Sequence, residues 1–167
     1  MGIFDAKKWM KICLLNLLAV VALGILMRYK IGFEFPFLNQ KNLQHAHSHF
    51  AFTGWVSQTL MIAMVALLHQ SLSATRQQQY QRLLWANVIT AWGMLIAFAI
   101  QGYGAVAITF ATISIAIAAL FTAKFFKDLQ RPHAIRQPLW FKAALIFNLL
   151  SALGTFGLAF MMLTRHI

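Results

Sequence analysis

The sequence predicts an all-α polytopic membrane bundle of five transmembrane helices, and three observations carry that prediction. Apolar residues make up 60% of the 167 residues and charged residues only 10%, with a mean hydropathy of +0.69. A soluble domain of this size needs far more polar surface. The apolar residues gather into five runs, each close to the ~20 residues a helix needs to cross hydrocarbon. No soluble domain, Ser/Gly linker, low-complexity tract or short repeat interrupts the series, so residues 1–167 read as a single transmembrane helical domain.

The expected spans are Trp9 to Tyr29, His45 to His69, Leu83 to Ile100, Ala105 to Ala123 and Leu139 to Leu163. In the first, the apolar run Ile12 to Met27 follows Lys7, Lys8 and Lys11, as in a secretory signal. No small-x-small cleavage motif precedes Arg28, so the run reads as an uncleaved helix. Cys13, the only cysteine, lies within it. A lone cysteine leaves no internal disulfide and no multi-cysteine metal site, and packing is its expected role.

In the loop that follows, Phe33-Glu34-Phe35-Pro36-Phe37, aromatics alternate around a proline, which suits a chain lying in the membrane interface. Glu34, one of three acids, reads either as a solvated charge near Arg28 and Lys30 or as a hydrogen-bond acceptor for an imidazole. The third and fourth spans are joined only by Gln101-Gly102-Tyr103-Gly104, where two glycines permit a tight reversal into a helical hairpin. Ser151, Gly154 and Gly157 give the fifth span a small-residue face for close helix contact.

Asn16, Gln58, Asn87, Thr90, Asn148, Ser151 and Thr155 fall at membrane depth and are expected to link helices by hydrogen bonds rather than form a proton path. Trp9, Trp85, Trp140, Tyr29 and Tyr80 fall near span boundaries as interface anchors, with Trp92 in the core.

The formal charge is +11. The basic residues sit between apolar runs and do not interleave with aromatics on a continuous polar face, so they speak for lipid headgroups and topology, not nucleic acid. With the N-terminus inside, the inner side holds ten of them: Lys7, Lys8, Lys11, Arg76, Arg82, Lys124, Lys127, Arg131, Arg136 and Lys142. The outer side holds Arg28, Lys30, Lys41 and Arg165. The positive-inside rule then gives a cytoplasmic N-terminus and an outside C-terminus, with a bacterial inner membrane as the expected location.

Chemistry concentrates in His45-Ala46-His47-Ser48-His49, at the outer end of a 19-residue apolar run from Phe50 to Leu68. Polar groups entering hydrocarbon are costly unless paired or coordinated, so three imidazoles here are the main pointer to function. At about 100° per residue, His45 and His49 lie about 40° apart while His47 points to nearly the opposite side. One metal ion cannot take all three from a regular helix. His45 and His49 could hold zinc or copper, with other groups completing the site. Alternatively, one histidine is an axial haem ligand and the others support it. On a straight helix His47 shares a face with Ala51, Gly54 and Gln58, small enough in part for a flat macrocycle to approach, and His49 shares one with Thr53, Val56 and Leu60.

The stretch from His45 to Trp55, His-Ala-His-Ser-His-Phe-Ala-Phe-Thr-Gly-Trp, resembles the start of the second helix in subunit I of the haem-copper oxidases, a superfamily that includes cytochrome c oxidases, cbb3-type enzymes and nitric oxide reductases. It is also similar to haem- and copper-containing membrane proteins of the nitric oxide response, which share a His-Ala-His opening. In subunit I a histidine near the outer end of helix two ligates the low-spin haem. Matching His47-Ser48-His49 to the family's His-Thr-Asn pattern implies His47 as that ligand, with His45 or His49 reached by a shift of two. The resemblance also implies haem propionates toward the outer face, where Arg28, Lys30 and Lys41 could meet them; the same three serve equally as interfacial anchors.

The likeness covers about a dozen residues, and the family's copper ligands and remaining haem ligands lie on helices beyond the fifth. Outside the triplet only His69, His133 and His166 remain. His69 is about 36 Å below His45 along a helix rising 1.5 Å per residue, too far to share the site. His133 lies in the basic inner loop, and His166 should return to the outer level at the chain terminus. A complete oxygen- or nitric-oxide-reducing centre is therefore not expected: the chain is the N-terminal portion of a longer oxidase-like protein, or a small relative that takes a second ligand from a homodimer or from a histidine within the one chain, with other respiratory-complex subunits as further partners.

Three functions are compatible with these residues: a haem-binding electron-transfer component related to oxidoreductases, a copper- or zinc-handling protein, and a cofactor-free structural or assembly subunit. Di-iron desaturase chemistry needs more histidine clusters than six histidines can form. No phosphate-binding glycine loop, catalytic serine arrangement or membrane carboxylate pair occurs.

Overall fold

The structure, a computed structural model, describes residues 4–130 and 138–164. All regular structure among them is helical: α1 (Ala6–Gly32), α2 (Gln40–Phe50), a π-helical turn (Ala51–Ser57), α3 (Gln58–Leu68), a 3-10 turn (His69–Ser71), α4 (Ala74–Gln101), α5 (Ala105–Leu129) and α6 (Pro138–Thr164). Because α2, the π-turn, α3 and the 3-10 turn run on without a break, the chain forms five rods. Ala6–Gly32, Gln40–Ser71, Ala74–Gln101 and Ala105–Leu129 are each long and apolar enough to cross a membrane. α6 spans 27 residues. The protein is an integral membrane helical bundle.

The rods are longer than the apolar runs because polar caps start them earlier. Asp5 caps α1 by accepting from the N–H groups of Lys7 and Lys8 at 2.9 and 3.2 Å. Asn39 does the same for α2 through Lys41 and Asn42 at 2.9 and 3.2 Å. The second rod thus begins at Gln40 rather than His45, and the histidines lie more than a turn inside it. Ser73 caps α4, so that helix begins at Ala74 rather than Leu83, its first turns carrying the polar Arg76 to Arg82. Each side-chain oxygen satisfies backbone donors that a helix start leaves unpaired.

Two compact units divide the chain, one up to Ile117 and one from Ala118 onward. In the first, α1 buries Trp9, Cys13, Asn16 and Val20, spaced four, three and four apart, so a single seam faces inward. Leu14, Leu15, Leu18 and Ile25 are exposed on the rest of α1, as a lipid-facing surface requires. The core joins Val20 to Ala46 and Phe50 of the second rod and to Ala91, Met94 and Phe98 of α4. Alanines at these contacts let helix backbones approach closely, which is how helices gain packing where lipid removes the hydrophobic incentive. Gly93 serves the same end, for a Cβ there would meet the Phe110 ring at 2.5 Å. In the second unit Phe121 stacks on Phe125 at 5.7 Å, and Phe125 leans on Phe141 at 6.4 Å.

The π-turn is the irregularity that organises the first unit. Counted as straight α-helix, the buried Phe50 and Gln58 would be about 80° apart; one extra residue absorbed in wider turns takes up about 100° and brings them within about 20°. The inward stripe can then run on through Met61, Ile62, Val65 and Leu68. Wider turns disturb the backbone ladder, and in hydrocarbon every carbonyl must find a donor. Asn16 Nδ2 donates to Gly54 O at 2.6 Å, and Asn87 Nδ2 donates to Thr53 O at 3.0 Å and to Gln58 Oε1 at 2.7 Å. Gln58 Nε2 in turn donates to Leu84 O at 3.3 Å, and Trp92 Nε1 to Asn16 Oδ1 at 3.1 Å. Asn16, Gln58 and Asn87 are all buried.

Several expectations need correction. Trp9 and Tyr80 are buried instead of lying open to lipid; Trp9 packs on Trp85 of α4 at 5.0 Å. Trp92 is 38% exposed rather than enclosed, its ring edge against Phe50 and its N–H held by Asn16. The amides at membrane depth also divide: Asn16, Gln58 and Asn87 link helices, whereas Asn148 is exposed on α6.

Replacing Asn87 by leucine removes a donor from the Thr53 carbonyl and leaves the buried Gln58 amide oxygen without that partner, which should cost about 1–3 kcal/mol. Asn148→Leu should change stability by less than about 0.5 kcal/mol. Thermal unfolding of both variants in detergent checks the contrast.

Candidate functional site

From the Asn39 cap, α2 runs regularly through the triplet, so helix phase alone separates the histidines. His45 and His49 face the α4–α5 reversal. The His45 ring stands edge-on to Tyr103, with centroids 4.6 Å apart and planes at 66°. His49 lies flat on Phe98, 4.3 Å away and only 6° from parallel, and its Nε2 is 3.4 Å from Tyr103 Oη. Phe98 and Tyr103 themselves meet edge-on at 5.2 Å, making an aromatic corner around the two imidazoles.

His47 leaves α2 toward α1. A Cβ built on Gly24 would sit 3.6 Å from His47 Cε1, so the imidazole faces α1 at its glycine with room for about a methyl group between them. Arg28 follows one turn further along α1 on the same side and is exposed. All three histidines are partly buried. His45 Nε2 and His47 Nδ1 are buried with no hydrogen-bond partner. Buried polar atoms are nearly always paired, so two such nitrogens on neighbouring residues call for an explanation beyond packing.

Below the triplet the π-turn changes the straight-helix faces. Residues beyond Ser57 are rotated by about 100° relative to a regular helix, so Gln58 does not continue the His47 strip. Gly54 instead lies under the Phe50 ring, which a Cβ would meet at 2.8 Å, and gives its carbonyl to Asn16.

The expected cationic partners are placed unevenly. Lys30 donates its ammonium to Phe35 O and lies 5.5 Å from that ring's centroid, which fixes the aromatic loop between α1 and α2. Lys41 is exposed in the first turn of α2, about 120° around the helix from His47. Glu34 is exposed, and among the described residues no imidazole hydrogen-bonds to it. His69 has a local role at the far end: Nδ1 donates to Ala66 O at 2.6 Å while its own carbonyl accepts from Gln77 Nε2 at 2.9 Å. His133 and His166 lie outside the described residues.

Among the described residues no group of three or more His, Cys, Asp or Glu side chains gathers as a metal site. The residues that sequence reasoning passed over are Phe98, Tyr103 and Gly24. Tyr103 was legible in principle, since the glycine turn that carries it returns to the same membrane level as the triplet. Comparison with protein-family models, curated proteins and solved structures gives no match to this chain.

Gly102 holds Tyr103 in place. It ends α4 at φ +61°, its N–H donating to Phe98 O at 2.9 Å, and a Cβ there would meet Asn42 Oδ1 at 2.5 Å. The amide side chain can swing away, but the left-handed backbone remains strained for any residue with a Cβ. Gly102→Ala should therefore lower stability by about 1–3 kcal/mol. Gly32→Ala, where the added methyl meets nothing within 4 Å, is the control for the same unfolding measurement.

Proposed function

We propose that this chain is an integral membrane haem-binding electron-transfer protein of the haem-copper oxidase kind, incomplete by itself for oxygen or nitric oxide reduction. The observation that carries the reading is His47: an imidazole within the first turns of a membrane rod, facing Gly24 of α1, with buried Nδ1 lacking a hydrogen bond. Arg28, one turn away on α1, would pair with a propionate through charge-assisted hydrogen bonds.

Bound there, haem would supply a one-electron couple, its potential set by the axial ligands and the apolar surroundings. The protein provides an imidazole facing Gly24 and, one turn along α1, an exposed cation. His69 stays outside the site because it closes the opposite end of the rod. The second axial ligand comes from a second copy of the chain or from another subunit. The positive-inside bias supports an outer location for the site, in a bacterial inner membrane with the N-terminus in the cytoplasm.

Protein purified in detergent should show a Soret band and a narrow α band on reduction. His47→Ala should abolish both while His69→Ala leaves them unchanged. Normal haem content in His47→Ala would overturn the ligand assignment, and a colourless parent protein grown with ample haem would overturn the cofactor.

A further inference from the structure

We infer that His45, His49 and Tyr103 form a second site, separate from His47, for a single zinc or copper(II) ion. The inference stands independently of the haem reading, since the two sites lie on opposite faces of α2 and share no side chain.

The His49 Nε2 to Tyr103 Oη separation of 3.4 Å carries the argument. It exceeds the usual range for an N–H···O hydrogen bond, about 2.7–3.2 Å. Two ligands each about 2.0–2.1 Å from a tetrahedral metal are, by contrast, about 3.3 Å apart. The pair therefore stands at the edge length of such a site. His45, one turn before His49 on the same face, brings an Nε2 that is buried without a partner, and its ring packs on the same Tyr103.

Each donor is also held. Stacking on Phe98 fixes the plane of His49, and the positive-φ Gly102 fixes the start of the segment that bears Tyr103. Two imidazoles and a phenol oxygen suit borderline metals, with copper(II) bound more tightly than zinc in the usual order. Tyr103 is 48% exposed, which leaves a fourth position open to water. Metal entry displaces the phenolic proton, which passes to solvent, so binding releases one proton and forms a metal–phenolate bond.

The test uses the full chain in detergent, purified without a histidine tag, stripped with chelator and titrated with zinc or copper(II) alone. One equivalent should bind, and copper(II) should raise a visible phenolate-to-copper charge-transfer band. His45→Ala and His49→Ala should each weaken binding at least tenfold, while His47→Ala leaves it unchanged. Tyr103→Phe should remove the charge-transfer band and keep weaker binding. If His49→Ala fails to fold by circular dichroism, His49→Gln takes its place, keeping a planar group on Phe98.

Absence of saturable binding, full affinity in both histidine variants, or a charge-transfer band that survives Tyr103→Phe would each overturn the site. Loss of zinc affinity in His47→Ala would overturn the separation of the two faces. Failure of metal binding with haem intact would remove this site alone, whereas absence of haem with metal binding intact would remove only the haem reading.

Discussion

Everything at the histidine-bearing end of the first unit depends on how the widened turn between α2 and α3 is stabilised. A helix that takes in one extra residue weakens its ladder, and lipid offers no water to repair it. Here Asn16 from α1 and Asn87 from α4 reach the carbonyls of Gly54 and Thr53 from two sides. Gln58 and Trp92 extend these contacts into one buried network. Interhelical hydrogen bonds in membranes average only about 0.6 kcal/mol each. The weight of these lies in where they fall, on the carbonyls of the widened turn that the buried stripe requires.

The turn also sets the rotational phase of everything above it. Had the second rod stayed regular, Phe50 and Gln58 would present different faces, and packing α3 correctly would turn the histidines away from their present neighbours. With the turn in place, Ala46 and Phe50 fill the core, His45 and His49 reach the aromatic corner, and His47 reaches α1. One backbone irregularity thus couples ordinary helix packing to the aim of three imidazoles. π-turns are often found at functional sites for this reason, since they re-aim side chains without breaking the rod.

How much was legible varied with the range of the interaction. The spans were readable because length and apolarity act locally, and their ends were missed where a polar cap prolonged a helix past its apolar run, as at Asn39 and Ser73. The opposition of His47 to His45 and His49 follows from helix phase, a property of residues four or fewer apart. Faces extrapolated through residues 51–57 failed because no local residue pattern distinguishes a π-turn from an α-helix. The donors that stabilise it, Asn16 and Asn87, are 38 and 34 residues away from the carbonyls they reach.

By itself, then, the sequence determined a membrane-spanning helical chain and a cluster of imidazoles at one helix end, because hydropathy and helical periodicity depend only on neighbours along the chain. Tertiary structure alone decided which surfaces those imidazoles meet. Gly24 beneath His47, Phe98 beneath His49 and Tyr103 beside both His45 and His49 are supplied by other helices and their turns. The physical reason is that side-chain environment is set by packing between rods, and packing turns on the single residue by which the second rod departs from a regular helix.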